Sequence, residues 1–524
     1  MSRRVEVYDT TLRDGTQAEG LSPTVGDKLR VARLLDRLGV DFIEGGWPGA
    51  NPKDDEFFSR AKTELELDTS TLVAFGSTRR PRQTPEKDDQ LARILAADTE
   101  VVCIVGKSWD QHVTHALNTS LEEGIAMVAD SIEYLRSHDR RVFFDAEHFF
   151  DGYCGNPEFA LSVLDAAAAA GAERLVLCDT NGGSLPHRAS ETVAALAGRF
   201  DIPLGVHFHN DGACAVANSI AAVQAGAHQV QGCINGYGER TGNADLCSVI
   251  PNLVLKMGLR ALPIEQLDHL YTIAHEIAEI MNSPVEPRHP YVGSSAFAHK
   301  AGLHTSGLAR LDGAYEHIDP ALVGNTARQL FSELMGRATL LQIAGDRGWT
   351  MNEELAQTIV DQVKDLEHQG YQFEAADGSF ELLARRAAGW EDEYFELRSL
   401  VVTINTNGDG SASATATLQL TVNGKAIESE HAGDGPVHAM DKALRSALEP
   451  GYPELEKVQL TDYKVRDLDS SDGTAARVRV LIETSDGDST WGTVGVHQNI
   501  IEASWEALSD GVRIGLLRAG SHKS

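Results

Sequence analysis

The chain has 524 residues, 42% of them hydrophobic, and a net charge of −31 from 46 basic and 77 acidic side chains. At roughly 150 residues per domain it is long enough for about two to four domains around a sizeable core. A surface of that sign repels nucleic acid and anionic lipid, so neither is an expected partner.

The six cysteines, Cys103, Cys154, Cys178, Cys214, Cys233 and Cys247, form no Cys-x-x-Cys pair. No apolar stretch approaches the roughly 18 residues of a membrane span, and no basic-plus-apolar leader precedes the first strand. Free, mostly buried thiols and a cytoplasmic location are expected.

From residue 5 to about 260, short β-branched runs alternate with alanine-rich helical stretches. The runs begin near Val5, Phe42, Thr71, Val101, Val142, Leu175, Leu204 and Val230. Helical patterns cover 23–38, 85–96, 121–135, 157–170, 186–198 and 213–225, with Ser22 and Pro23 as cap and first-turn proline of the first. Eight strands with intervening helices over about 250 residues predict an α/β fold, a (β/α)8 TIM barrel. From 264 to 390 the pattern turns to helices and polar loops, with a proline cluster at Pro284, Pro287 and Pro290 and a clear helix over 353–369. From about 397 the chain is β-rich. Strand 411–422, the Asn423-Gly424 turn and helix 436–448 are followed by strands 463–468, 475–484 and 489–496 and helix 500–509. This reads as two β-β-β-α units in one small α/β domain, a binding or dimer module. The expected domains are a catalytic barrel over 1–270, helical linker subdomains over 271–392 and a C-terminal domain over 393–520.

The chemistry-bearing residues follow the apolar runs. Asp9, Arg13 and Asp14 follow the first, Glu44 ends the second, Asp145 and Glu147 the fifth, Asp179 and Thr180 the sixth, and His207 and His209 the seventh. Active sites of this fold gather at that end of the strands. In Gly205-Val206-His207-Phe208-His209 the period of two puts Val206 and Phe208 on one face and both imidazoles on the other. Barrel closure makes the first, seventh and eighth strands neighbours. Asp14, His207, His209 and Asn243 therefore predict a metal site, and mixed nitrogen and oxygen ligation suits Mg²⁺, Mn²⁺, Zn²⁺, Co²⁺ or Fe²⁺. Arg13 beside it can bind a substrate carboxylate or stabilise an oxyanion. Glu147 and Glu44 are acid/base candidates or orienters of ligands, with Glu147 ahead for chemistry. The loop at Thr180 either turns the chain or donates to a carboxylate. The glycines of 236–243 are read as letting backbone approach the metal or a coenzyme. Phe75, Ile104 and Asp145 are candidate pocket walls, and His304 by itself is an ordinary loop histidine.

The segments DTTLRDGTQ, HFHND, GYGERTGNAD and HKAGLH together resemble the acetyl-CoA-dependent 2-oxoacid synthases: the 2-isopropylmalate, homocitrate and citramalate synthases. The resemblance covers nearly the whole chain, and FIEGGWPGANPKD is most similar to the citramalate branch. It implies pyruvate and acetyl-CoA as substrates, a Claisen condensation, then thioester hydrolysis to (R)-citramalate and CoA in isoleucine biosynthesis. It implies Asp14, His207, His209 and Asn243 as metal ligands, with Mg²⁺ or Mn²⁺, or Zn²⁺ or Co²⁺. It implies Arg13, Glu147, His304 and Tyr315 as catalytic residues, and Arg13, Gln17, Glu44 and Thr180 as substrate-binding residues. It further implies a homodimer in which His304 and Tyr315 act in trans, and a C-terminal regulatory domain taking isoleucine as feedback inhibitor. One departure is Thr305-Ser306, where many relatives carry Gln-Asp after the histidine. The competing readings are another oxoacid specificity, a lyase or a metal hydrolase on the same barrel, and a non-catalytic amino-acid sensor.

Overall fold

The computed structural model describes residues 3–299, 311, 314–329, 332, 335–390, 394–406, 412–468 and 476–520. Eight parallel strands close into a barrel. They are β1 (Glu6–Asp9), β2 (Phe42–Gly46), β3 (Thr71–Ser77), β4 (Val101–Lys107), β5 (Arg141–Glu147), β6 (Arg174–Asp179), β7 (Leu204–Phe208) and β8 (Gln229–Gly232). Closure runs through β1 and β8, with Tyr8 opposite Gln231 and Asp9 opposite Gly232.

The alternation of side chains sorts each strand into two layers. Val7, Ile43, Ala74, Val102, Ile104, Val142, Phe144, Val206, Phe208 and Val230 point out and join the core beneath the helices. Tyr8, Phe42, Val73, Phe75, Val101, Cys103 and Phe143 point in and fill the barrel. Below that aromatic layer Arg174 grips Glu6 through two hydrogen bonds of 2.6 and 2.9 Å, and Gln229 donates to the same carboxylate.

Helix α1 (Val25–Leu38) begins two residues later than anticipated from sequence. Thr24 forms a capping box with Asp27, so Ser22 and Pro23 precede the helix rather than start it. Helix α2 (Pro52–Glu64), capped by Asn51 with Pro52 in its first turn, and a short helix at Phe149–Gly155 were not anticipated. The remaining barrel helices lie close to the expected stretches.

The described residues fall into two compact units, Met1–Phe297 with Glu316–Ala327, and Ala298–Tyr315 with Arg328–Ser524. In the second, helices Arg337–Asp346, Glu353–His368 and Asp377–Ala387 share a core that includes Leu340, Ile359, Phe373 and Phe380. Two antiparallel three-stranded sheets follow, Phe395–Thr406, Ala412–Val422 and Lys425–Gly433, then Gln459–Asp467, Val478–Ser485 and Thr490–His497. Each sheet is covered by the helix after it, Pro436–Leu448 or Ile500–Arg518, as the repeated pattern implies. Asn423 and Gly424, at φ 49° and 74°, make the two-residue hairpin. No helix among the described residues is long and apolar enough to cross a membrane.

Candidate metal centre and active site

Val206 and Phe208 lock β7 into the outer core, which turns His207 into the barrel. The loop after β8 folds back so that Asn243 pairs with His209, while Ala244 N–H donates to the Phe208 carbonyl at 2.9 Å. Glycines permit that fold. Gly238 and Gly242 have φ of 147° and 91°, and a Cβ on either would lie 2.3 Å from Asn243 Oδ1 or 2.0 Å from the Gly236 carbonyl. They serve the close approach of the loop to itself.

Three side chains from opposite ends of the barrel sequence thereby converge. Asp14 Oδ2 lies 3.2 Å from His207 Nε2 and 3.3 Å from His209 Nε2, and the two nitrogens are 3.3 Å apart. All three residues are buried, and they are the metal-capable cluster among the described residues. Burial alone would raise the Asp14 carboxyl, but Arg13 and the two imidazoles hold it well below its usual range. Burial alone would lower His207, but Asp14 outweighs it and raises it. The cluster thus favours positive charge at its centre.

The outer nitrogens of the imidazoles are already used. His207 Nδ1–H donates to Gln231 Oε1 at 2.9 Å, and His209 Nδ1–H donates to the Thr180 carbonyl at 2.7 Å. Arg240 Nη2 is 3.0 Å from the same His209 nitrogen. The shorter contact to a pure acceptor decides for Nδ1–H, and Arg240 donates to that carbonyl at 2.9 Å. Both Nε2 atoms face Asp14, and with Nδ1 protonated each would offer its lone pair to a cation seated there, as metal-binding histidines require. Asn243 faces the cluster through Nδ2, 2.7 Å from Asp14 Oδ2, and its buried Oδ1 has no partner. Turning the amide over exchanges two nearly isosteric ends and brings Oδ1 to the cluster. These donors fit a divalent cation.

Arg13 is pinned beside the cluster. Its Nε donates to Glu44 at 2.6 Å, Nη1 lies 3.3 Å from Asp14 Oδ1, and the guanidinium stacks 3.8 Å from the centre of the Phe75 ring. Burial would lower its pKa, yet Asp14 and Glu44 more than offset that, so it stays charged. Glu44 is fully buried beneath Arg13, and its second oxygen accepts the Tyr8 hydroxyl at 2.6 Å. With both oxygens engaged, Glu44 orients Arg13 and does not reach the cavity wall.

A cavity of about 430 Å³ opens over this group and is lined by Arg13, Asp14, Gln17, Glu147, Thr180 and both histidines. Glu147 is ion-paired with Lys107. The Thr180 hydroxyl accepts from His148 N–H at 2.9 Å and keeps its own proton to donate. Tyr315 is exposed and belongs to the second unit, and His304 lies outside the described residues. Of the three wall positions read from sequence, Phe75 and Asp145 line the cavity, whereas Ile104 points into the outer core. Val105, one residue on, takes its place, as the period of two requires. Sequence reasoning also missed Trp47 on the wall and Gln231 beneath His207. The signal for Gln231 was present in β8, where Gln229 and Gln231 alternate with Val230.

Comparison with known proteins matches the chain to three families in succession. The HMGL-like family matches residues 4–275, the homocitrate synthase post-HMGL domain-like family 291–371, and the LeuA allosteric (dimerisation) domain 374–515. The chain is 50% identical to the (R)-citramalate synthase of Aquifex aeolicus, covering 99% of both chains. It is 51% identical to that of Synechocystis, covering 97% of this chain and 96% of the relative. A probable 2-isopropylmalate synthase of Methanopyrus kandleri is 33% identical, with 98% of each chain covered.

Proposed function

The chain belongs to the (R)-citramalate synthase family of HMGL-like barrels, and from that premise we propose how its residues carry the reaction. The enzyme transfers the acetyl group of acetyl-CoA to pyruvate. Condensation at the keto carbon, then hydrolysis of the thioester by water, gives (R)-citramalate and CoA.

Asp14, His207 and His209, with Asn243 after its amide turns, would hold a divalent cation, Mg²⁺ or Mn²⁺ first, with Zn²⁺ or Co²⁺ also suited to the donor set. When bound, the cation supplies Lewis acidity and a template for an α-keto carboxylate. Arg13, with Nε and Nη1 fixed, offers Nη2 to the keto oxygen where negative charge develops, a contribution of about 3–4 kcal/mol for one such donor. Gln17 and Thr180 line the cavity and bind the substrate carboxylate or the thioester. Glu147, with His304 and Tyr315, moves the methyl proton, and the last two come from a second copy of the chain. The C-terminal domain joins the dimer and takes isoleucine as effector, which places the reaction in isoleucine synthesis. Six unbridged cysteines agree with a cytoplasmic setting.

The observation that carries this reading is the convergence of Asp14, His207 and His209 beside the pinned Arg13. Purified protein with Mg²⁺ or Mn²⁺, acetyl-CoA and a panel of 2-oxoacids should release free thiol with pyruvate. Release with 2-oxoisovalerate alone would move the assignment to the 2-isopropylmalate branch. No release with any oxoacid would leave the hydrolase or sensor readings.

A further inference from the structure

Gln231 is fully buried on the inward face of β8 and bridges two groups. Its Oε1 accepts from His207 Nδ1–H at 2.9 Å, and its Nε2 donates to Asp145 Oδ1 at 3.1 Å. A primary amide has one accepting end and one donating end. Asp145 Oδ1 also receives the Cys103 thiol, at 3.2 Å, and an ionised carboxylate can only accept. Only the NH₂ end of Gln231 can face it. The carbonyl end is left for His207, so Nδ1 must carry the proton. The neutral ring that could ligate a cation then has its lone pair on Nε2, the atom 3.2 Å from Asp14 Oδ2.

We propose that Asp145 and Gln231 are positioning residues whose one-way hydrogen bonds fix the tautomer of His207 and thereby its ability to ligate a divalent cation. With the amide reversed, His207 would carry its proton on Nε2 and turn an N–H toward the cation. The proposal rests on the metal reading above. It gives Asp145 a task beyond lining the cavity, and it makes the inward polar face of β8 part of the metal centre. His209 needs no such relay, because its Nδ1 faces a backbone carbonyl that cannot reverse.

The test is Mn²⁺ affinity of the metal-free full-length protein, measured by calorimetry without substrate, together with the His207 tautomer in ¹⁵N spectra of histidine-labelled protein. Asp145→Asn lets the amide pair run either way, and Gln231→Met removes it. Each is expected to weaken Mn²⁺ binding roughly 10- to 100-fold, with His207 found in both tautomers. Cys103→Ala, which leaves the bridge intact, should stay within about threefold. The decisive variant is Asp145→Asn combined with Gln231→Glu. The introduced carboxylate can only accept from His207 and can take the introduced amide's N–H, so direction is restored and affinity should recover relative to Asp145→Asn alone. A packing defect would not be rescued in this way. Wild-type affinity and a single tautomer in both Asp145→Asn and Gln231→Met would overturn the relay alone. No Mn²⁺ binding by the wild type would overturn the metal reading and the relay with it.

Discussion

Arg13 is held by three different interactions, a hydrogen bond to Glu44, an ion pair to Asp14 and stacking on Phe75, and only a guanidinium can make all three. Arg13→Ala is expected to lower kcat/KM by about 10²–10³, and Arg13→Lys to recover little of it. Thr180→Ala should cost less than about tenfold, since it removes one hydroxyl on the cavity wall. Steady-state kinetics on pyruvate checks the ranking, which fails if the Arg13 and Thr180 variants lose the same small amount. Gly238→Ala forces a Cβ into Asn243, and roughly tenfold weaker Mn²⁺ binding is expected without loss of the folded barrel, read by calorimetry and thermal melting. The two histidines were legible in the sequence because apolar neighbours alternate with them. Gln231, and the bond that Asp145 makes to it, were harder to read, because an amide facing into a barrel is distinguished only by what lies across from it. Ile104 was misread because one step along a strand reverses the side on which a residue lies.

At the scale of elements, the barrel strands announce themselves through β-branched runs, and the two C-terminal repeats through their turns. Helix α2 stayed hidden because Lys53-Asp54-Asp55-Glu56 is a charged start whose apolar contribution is largely Phe57, Phe58 and Ala61. How elements are tied together is less visible still. Asp36, near the end of α1, accepts the backbone N–H groups of Asp68, Thr69 and Ser70 at 2.9, 2.9 and 2.8 Å and so fixes the approach to β3. Burial would raise its carboxyl, but these donors outweigh it and lower it. The stabilisation is therefore complete above the unfolded value near 3.9 and lost as pH falls through the folded value. Asp36→Ala is expected to cost about 1–2 kcal/mol at pH 7. The gap from wild type should narrow as pH falls below about 4, as urea midpoints of the barrel transition would reveal. A gap that widens in acid would contradict the assignment.

At the scale of the whole molecule, the barrel and the C-terminal unit each have a hydrophobic core of their own, so a ligand of one need not stabilise the other. Isoleucine at about 100 times its Kd is expected to add some 2.7 kcal/mol to the unit that binds it. Calorimetry of the full chain should then show one unfolding transition rise while the barrel transition stays in place. If neither isoleucine nor leucine moves any transition, the effector proposal falls. The Arg174–Glu6 clasp and the aromatic layer of Tyr8, Phe42 and Phe143 bear on traffic through the barrel. They stopper the bottom of a flask whose neck is the mouth above Arg13. A flask with one neck empties in reverse order of filling. On the proposed chemistry the small keto acid beside Arg13 is expected to bind first and the coenzyme second, with CoA leaving before citramalate. Added citramalate should accordingly compete with pyruvate in steady-state kinetics, and acetyl-CoA should bind only once pyruvate is present.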